Sequence, residues 1–180
     1  MSIALVILAA GKGTRMNSDL PKVLHQIAGA PLLVHAMKSG ASLSPEKTVV
    51  VAGHGFEAVK KAAQAWDEDA EVVHQQEQNG TGHAVMVTRE ALAGFDGDVM
   101  VLYGDTPFVQ PETLKRMVAA RGAHALVVLG FNDDTSEKYG RLVMEGDPLT
   151  AITEHQHADD VTSANDCMNS SVKADQSDVL

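Results

Sequence analysis

The sequence has little cysteine, few aromatic side chains and a shortage of positive charge. Its 180 residues include one cysteine, Cys167, which excludes an internal disulfide framework and is typical of a reducing compartment. Aromatic residues make up 4% of the chain, so a core has to be built from aliphatic side chains. The 14 Lys and Arg stand against 24 Asp and Glu, which gives a formal net charge of -10. This balance argues against binding to nucleic acid or to an anionic membrane, because both need a basic face.

We expect no N-terminal segment of the kind that targets a protein to a membrane. The apolar run at residues 3–10 is too short to span a bilayer, has no basic residue before it and continues into a glycine loop. Apolar residues make up 44% of the chain and charged residues 21%, as in ordinary globular domains. We therefore expect a soluble, cytoplasmic protein.

Aliphatic runs alternate with stretches of helical periodicity. The runs predict strands at residues 3–8, 48–52, 71–74, 98–102 and 123–129. The stretches between them predict helices at residues 31–43, 56–66, 82–92 and 111–120. This alternation predicts an α/β fold of the Rossmann-like, doubly wound type, with a mostly parallel sheet and helices on both faces.

The alternation weakens after Gly130. Residues 142–144 and 149–153 predict short strands of an antiparallel addition. Beyond His155 the sequence is polar and acidic, and its pattern predicts no helix that would close the sheet. From this pattern we expect a fold that is truncated at the C-terminus.

A glycine loop, LAAGKGTRM at residues 8–16, follows the first predicted strand. Glycines in such a turn let the backbone approach a phosphate group, and Lys12, Arg15 and the nearby Lys22 add positive charge. The spacing matches neither the full dinucleotide fingerprint nor a P-loop. The residues alone thus leave two interpretations, a phosphate-binding loop or a glycine turn with solvated basic side chains.

The wider pattern resembles a known enzyme family. The glycine loop, followed by PKVL at residues 21–24, resembles the signature of the sugar-1-phosphate nucleotidyltransferases. Three further blocks narrow the resemblance to the N-acetylglucosamine-1-phosphate uridyltransferases. These blocks are QQEQNGTGHA at residues 75–84, YGD at 103–105 and YGR at 139–141.

The resemblance implies the nucleotide-diphospho-sugar transferase fold and a specific reaction. Enzymes of this family transfer a uridylyl group from UTP to N-acetylglucosamine-1-phosphate, releasing pyrophosphate. The product, UDP-N-acetylglucosamine, feeds cell-wall precursor synthesis. Both substrates are small molecules, and the implied cofactor is Mg²⁺.

The resemblance also implies a role for each matched residue. Arg15 and Lys22 would face the triphosphate as catalytic cations. The implied nucleotide-binding residues are Leu8, Ala9, Ala10, Gly11, Gln75, Gly80, Thr81, Tyr103, Gly104 and Asp105. Asp105 would also be the metal ligand, and the implied sugar-binding residues are Gly140, Glu154 and Asn169. Near Asn169 the chain departs from the family, because Ser171 stands where the family has glycine.

Several of these residues have simpler explanations from the sequence alone. Gln75 is also compatible with an exposed strand end, and Thr81 with a helix cap. Asp105 is also compatible with an ordinary loop aspartate. We expect His83 to be a first-turn helix residue without a catalytic role.

The resemblance leaves the extent of the activity open. It implies one nucleotidyltransferase domain over residues 1–180, incomplete and without the β-helical acetyltransferase domain of the family. One interpretation is an active UTP-dependent transferase, or a relative that uses another sugar phosphate. The other is a nucleotide-binding remnant that does not turn over. The oligomeric state is left open as well.

Overall fold

The computed structural model describes residues 2–13, 16–122, 124–132, 141–144, 149–153 and 167–176. The strands are β1 (Ile3–Ala9), β2 (Gln26–Ile27), β3 (Ala30–Pro31), β4 (Lys47–Ala52), β5 (Glu71–His74), β6 (Asp98–Tyr103), β7 (Leu126–Asn132), β8 (Arg141–Met144), β9 (Leu149–Thr153) and β10 (Cys167–Gln176). The helices are α1 (Leu32–Ala41), α2 (Phe56–Trp66), α3 (Gly80–Met86) and α4 (Pro111–Arg121), with a short 3-10 helix at Lys22–Leu24. None of the described helices is long and apolar enough to cross a membrane.

The chain divides into two compact units. The first consists of Met1–Val127 with Lys173–Leu180, and the second of Val128–Val172. In the first unit, four parallel strands lie in the order β5, β4, β1, β6. The end of β10, residues 173–176, pairs antiparallel with β6. The predicted α/β class with a mostly parallel, doubly wound sheet is therefore confirmed.

Strand β1 lies between β4 and β6 in the sheet, and its whole length is apolar and buried. Its side chains alternate between the two faces of the sheet. On one face, Val6 and Leu8 share a hydrophobic core with Ala84 of α3. On the other face, Leu5 packs against α1, where a Cβ added at Gly40 would lie 2.4 Å from Leu5 Cδ2. Helices cover both faces, as the sequence predicts.

The second unit contains the predicted antiparallel strands. Arg141 of β8 pairs with Thr153 of β9, and the two strands run antiparallel. Met168 of β10 pairs antiparallel with Arg141. Strand β10 has no counterpart among the predicted elements, because its sequence, CMNSSVKADQ, lacks the apolar alternation that marks a strand.

The helix predicted at residues 82–92 begins and ends earlier. It runs from Gly80 to Met86, and Asn79 is the residue at its N-cap, so the prediction of Thr81 as the cap is wrong. The Thr88 hydroxyl donates to the Val85 carbonyl at 2.7 Å, and the backbone continues in turns rather than in the helix. Such local bonds from threonine compete with helical pairing, which explains the early end.

The strand predicted at residues 123–129 starts three residues later, at Leu126. Helix α4 ends at Arg121, and the following backbone is held in a turn in which His124 N–H donates to the Arg121 carbonyl at 2.7 Å. Arg121 Nη1 also donates to the His124 carbonyl at 2.6 Å. These contacts occupy the first part of the predicted segment.

Candidate functional site

A cavity of about 520 Å³ lies at the carboxyl ends of β1 and β6. In the strand order, β1 is the point from which the chain proceeds to β4 on one side and later to β6 on the other. Ligands of open α/β sheets bind at such a switch point. The predicted residues that line the cavity are Leu8, Ala10, Gly11, Lys22, Gln75, Gly80, Thr81, Tyr103 and Asp105.

The other predicted site residues either lie outside the cavity lining or fall outside the described residues. Ala9 and Gly104 lie beside the cavity wall rather than in its lining, and Gly104 N–H donates to the Leu8 carbonyl at 2.9 Å. Arg15, Gly140 and Glu154 lie outside the described residues. The backbone of Asn169 belongs to β10, and its side chain lies outside the description. Lys12 is exposed and does not line the cavity.

Two glycines of the loop after β1 differ in how much space a side chain would have. Gly13 has φ +61, and a Cβ there would lie 2.6 Å from Lys22 Cβ, so the loop and Lys22 pack too closely for a side chain. A Cβ at Gly11 would meet no described atom within 4 Å. Packing against the described residues therefore does not require glycine at position 11, which leaves room for a ligand to approach the backbone there.

Lys22 and Asp105 form an ion pair inside the cavity. Lys22 Nζ lies 2.7 Å from Asp105 Oδ2, and the two side chains are 41% and 29% exposed. Lys22 begins the 3-10 helix, and Asp105 follows β6, so elements 83 residues apart meet at this point. The pair presents one positive and one negative group to the same space, as a phosphate and its metal ion require.

The carboxylate of Asp105 fits a magnesium ion. Mg²⁺ prefers oxygen ligands and is usually held by one or two carboxylates together with substrate phosphates and water. Asp105 lines the cavity at the side where Lys22 would meet a phosphate group. Its partly exposed carboxylate is open to an entering ion. The oxygen donor at this position therefore suits a hard divalent cation such as Mg²⁺.

Gln75 is a buried amide in the wall of the cavity. It is 3% exposed, so the alternative of an exposed strand end is wrong. Its backbone N–H donates to the Ala52 carbonyl at 2.8 Å, which places it directly beyond β5. Its Nε2 lies 3.1 Å from the Gly80 carbonyl oxygen and 3.2 Å from His83 Nδ1. An amide can both donate and accept, as contact with a uracil edge requires.

Sequence reasoning missed several residues that line the cavity, among them Gln78 and Ala84. Gln78 Nε2 donates to the Ala10 carbonyl at 2.7 Å, so it ties the block at residues 75–84 to the glycine loop. Its amide lies in the same block as Gln75, and that shared motif could have identified it. The 68 residues between Gln78 and Ala10 explain why spacing alone could not.

The chain is similar over its whole length to much longer curated proteins. Bifunctional protein GlmU of Ruegeria pomeroyi is 61% identical over 180 residues, which are 100% of this chain and 40% of that protein. Bifunctional protein GlmU of Ruegeria sp. (strain TM1040) is 58% identical over 180 residues, with the same shares. The chain thus spans about 40% of the length of these relatives.

The fold and the family also have independent matches. The crystal structure of UDP-glucose pyrophosphorylase complexed with UDP-glucose superposes with a TM-score of 0.80 at 20% identity. That match covers 99% of this chain and 78% of the other, and it shows a common fold. Residues 5–166 match the family described as MobA-like NTP transferase domain. Because this match takes in most of the chain, the protein belongs to the MobA-like NTP transferase domain family.

Proposed function

We propose that the chain transfers the uridylyl group of UTP to N-acetylglucosamine-1-phosphate, giving UDP-N-acetylglucosamine and pyrophosphate. The observation that carries the proposal is the convergence of Lys22, Asp105 and Gln75 on one cavity. An ammonium and a carboxylate suit a phosphate chain with its metal ion, and a buried amide suits a pyrimidine edge. Membership of an NTP transferase family and 61% identity to a Bifunctional protein GlmU support the same assignment.

The reaction joins two polyanions. An oxygen of the sugar phosphate attacks the α-phosphorus of UTP, and the bond from that phosphorus to the bridging oxygen of the β-phosphate breaks. The bonding electrons leave with pyrophosphate. Such transfers need positioning and charge neutralisation more than covalent help from the protein. Lys22 would neutralise the charge that develops on the α-phosphate and on the departing pyrophosphate, and Arg15 would face the same triphosphate.

The nucleotide would lie along the cavity wall. The backbone from Leu8 to Gly11 would contact it, with the open space beside Gly11 receiving the ligand. Gln75, with Gly80 and Thr81, would contact the uracil edge. The remaining proposed nucleotide contacts are Tyr103, Gly104 and Asp105.

Nucleotidyltransferases of this kind typically use a divalent metal ion. We assign Mg²⁺, with Asp105 as its protein ligand, on the fit of that carboxylate to a hard cation. When bound, the ion would act as a Lewis acid on the phosphate oxygens.

The sugar phosphate would contact Gly140, Glu154 and Asn169. We place residues 1–180 in one nucleotidyltransferase domain that serves cell-wall precursor synthesis in the cytoplasm.

Pyrophosphate release tests the proposal directly. The protein is incubated with UTP, N-acetylglucosamine-1-phosphate and Mg²⁺, and omission of each substrate and addition of a chelator are the controls. We expect release that needs both substrates and stops with the chelator. A parallel titration measures UTP binding without the sugar phosphate.

The outcomes separate the candidate activities. Release with another sugar phosphate but not with N-acetylglucosamine-1-phosphate would reassign the acceptor. UTP binding without release in any combination would reject the transferase and leave a nucleotide-binding domain. Pyrophosphate release that continues in the presence of chelator would contradict the assignment of Mg²⁺ as a cofactor.

A further inference from the structure

The amide of Gln75 is held on one side by two groups. Its Nε2 lies 3.1 Å from the Gly80 carbonyl oxygen and 3.2 Å from His83 Nδ1. Gln75 is 3% exposed and lines the cavity, so these contacts form where solvent competes little. Both of these side-chain contacts use the nitrogen, which leaves the oxygen, Oε1, available to a ligand in the cavity.

The chemistry of the two partners determines which end of the amide faces them. A carbonyl oxygen only accepts hydrogen bonds, so Gly80 requires the nitrogen of Gln75. The second N–H of that nitrogen then points to His83, where Nδ1 accepts in the tautomer that carries its proton on Nε2. Both N–H groups of the amide are thereby used. The oxygen and nitrogen ends of an amide have similar shapes, but the Gly80 carbonyl can only accept, so it determines that the nitrogen faces it.

This orientation distinguishes two pyrimidines. Uracil carries an N–H at N3, which donates to an acceptor such as Oε1. Cytosine has a lone pair at N3, which would face Oε1 as a second acceptor. To bind cytosine, the amide would have to turn over. Its oxygen would then face the Gly80 carbonyl, which is another acceptor, and His83 would have to carry its proton on Nδ1 instead of Nε2.

We propose that His83 is a positioning residue that, together with the Gly80 carbonyl, holds the Gln75 amide in the orientation that selects uridine over cytidine nucleotides. The inference rests on the proposed function, since it assigns the base specificity of the same site. His83 acts through Gln75 and need not touch the nucleotide. Its place in α3, three residues beyond Gly80, brings both partners of the amide from one turn of the chain.

The test replaces His83 in two ways. His83→Phe keeps a flat ring and removes the acceptor, whereas His83→Asn offers an amide oxygen near the position of Nδ1. The matched control is His35→Phe, because His35 also lies on a helix and contacts a carbonyl, that of Ile27 at 2.8 Å, but does not line the cavity. Titration with UTP and with CTP gives the ratio of their dissociation constants for each variant, and thermal melting checks that each is folded.

We expect the preference for UTP over CTP to fall about threefold to tenfold in His83→Phe, which is the effect of losing one hydrogen bond. His83→Asn should restore most of the preference, and His35→Phe should keep it. A merely structural role would weaken UTP and CTP equally, and that result would overturn the inference. So would a wild-type protein that binds the two nucleotides equally well.

The same titrations keep this inference separate from the proposed reaction. If UTP is preferred and the preference depends on His83, the inference holds even when no pyrophosphate is released. If pyrophosphate is released from UTP but His83→Phe keeps its full preference, the reaction stands and the inference fails.

Discussion

Lys22 is held in the cavity by close packing of the glycine loop. The 2.6 Å that would separate a Cβ at Gly13 from Lys22 Cβ shows that the two backbones lie against each other. The ion pair with Asp105 is partly exposed on both sides, and such pairs contribute little to the stability of a fold. We therefore expect the Lys22 charge to matter for the reaction more than for folding.

Replacement of Lys22 by methionine tests this expectation. Lys22→Met keeps the stem that packs beside Gly13 and removes the charge. We expect kcat to fall about 100-fold, as when one group that stabilises transition-state charge is removed, while the KM for UTP changes less. Steady-state pyrophosphate release gives both constants.

The control for this prediction is Lys61→Met on α2, which removes an exposed lysine that does not line the cavity. It should leave both constants unchanged. A raised KM at unchanged kcat in Lys22→Met would mean that Lys22 binds UTP equally well in the ground state and in the transition state.

Helix α1 packs so closely on β1 that a side chain at one position would have to displace its neighbour. A Cβ at Gly40 would lie 2.4 Å from Leu5 Cδ2 and 2.7 Å from Leu5 Cδ1, and Leu5 is buried in the core. Gly82 of α3 lies in a helix too, but a Cβ there would meet no described atom within 4 Å. These two helical glycines thus differ in packing and share the same intrinsic cost to the helix.

Alanine at each glycine should change stability in opposite directions. Gly40→Ala gains up to about 1 kcal/mol from helix propensity but overpacks the core, which costs about 1–3 kcal/mol. We expect a net loss of about 1 kcal/mol. Gly82→Ala should gain about 0.5–1 kcal/mol, because it has the propensity term alone. Urea denaturation of both variants measures the difference, and a stabilised Gly40→Ala would show that Leu5 adjusts at no cost.

The predicted bounds of strands and helices are correct where burial alone determines the hydrophobic pattern of the sequence. Strand β5 and helix α2 have the predicted bounds, since an apolar run and a helical stripe mark them. Helix α3 was misplaced because its ends depend on local bonds, such as that of Thr88 to Val85, which periodicity does not record. Strand β10 was not predicted because its polar sequence has no apolar alternation, so its pairing with β6 and β8 could not be inferred.

The position of the site follows from the topology of the first unit. Parallel strands bring the loops after β1, β5 and β6 to one edge of the sheet, so motifs about 30 residues apart or more become neighbours there. The sequence predicts this convergence, because alternating strands and helices imply it. The hydrogen bonds of Gln78 to Ala10 and of Gln75 to His83 could not be predicted, since they depend on how turns fold back.

The opposite end of β6 carries a buried ion pair. Asp98, the first residue of β6, accepts from Arg121 Nε at 3.0 Å, and Arg121 Nη2 lies 2.9 Å from the same oxygen. The two side chains are 3% and 6% exposed. Arg121 also donates from Nη1 to the carbonyls of Gly122 and His124. The pair thus joins the end of α4 to the sheet at the strand end away from Tyr103 and the cavity.

Because the pair is buried, loss of one partner should destabilise the fold without changing the site. Asp98→Asn leaves the Arg121 charge buried and unpaired, at a cost of about 3–5 kcal/mol, so we expect Tm to fall by about 6–20 °C. At temperatures where the variant is folded, its UTP affinity should match the wild type. Lys115→Met removes the exposed pair with Glu112 on the same helix, where the side chains are 58% and 75% exposed, and should shift stability by less than about 0.5 kcal/mol. Equal melting shifts in the two variants would show that burial of the Asp98–Arg121 pair does not determine its contribution.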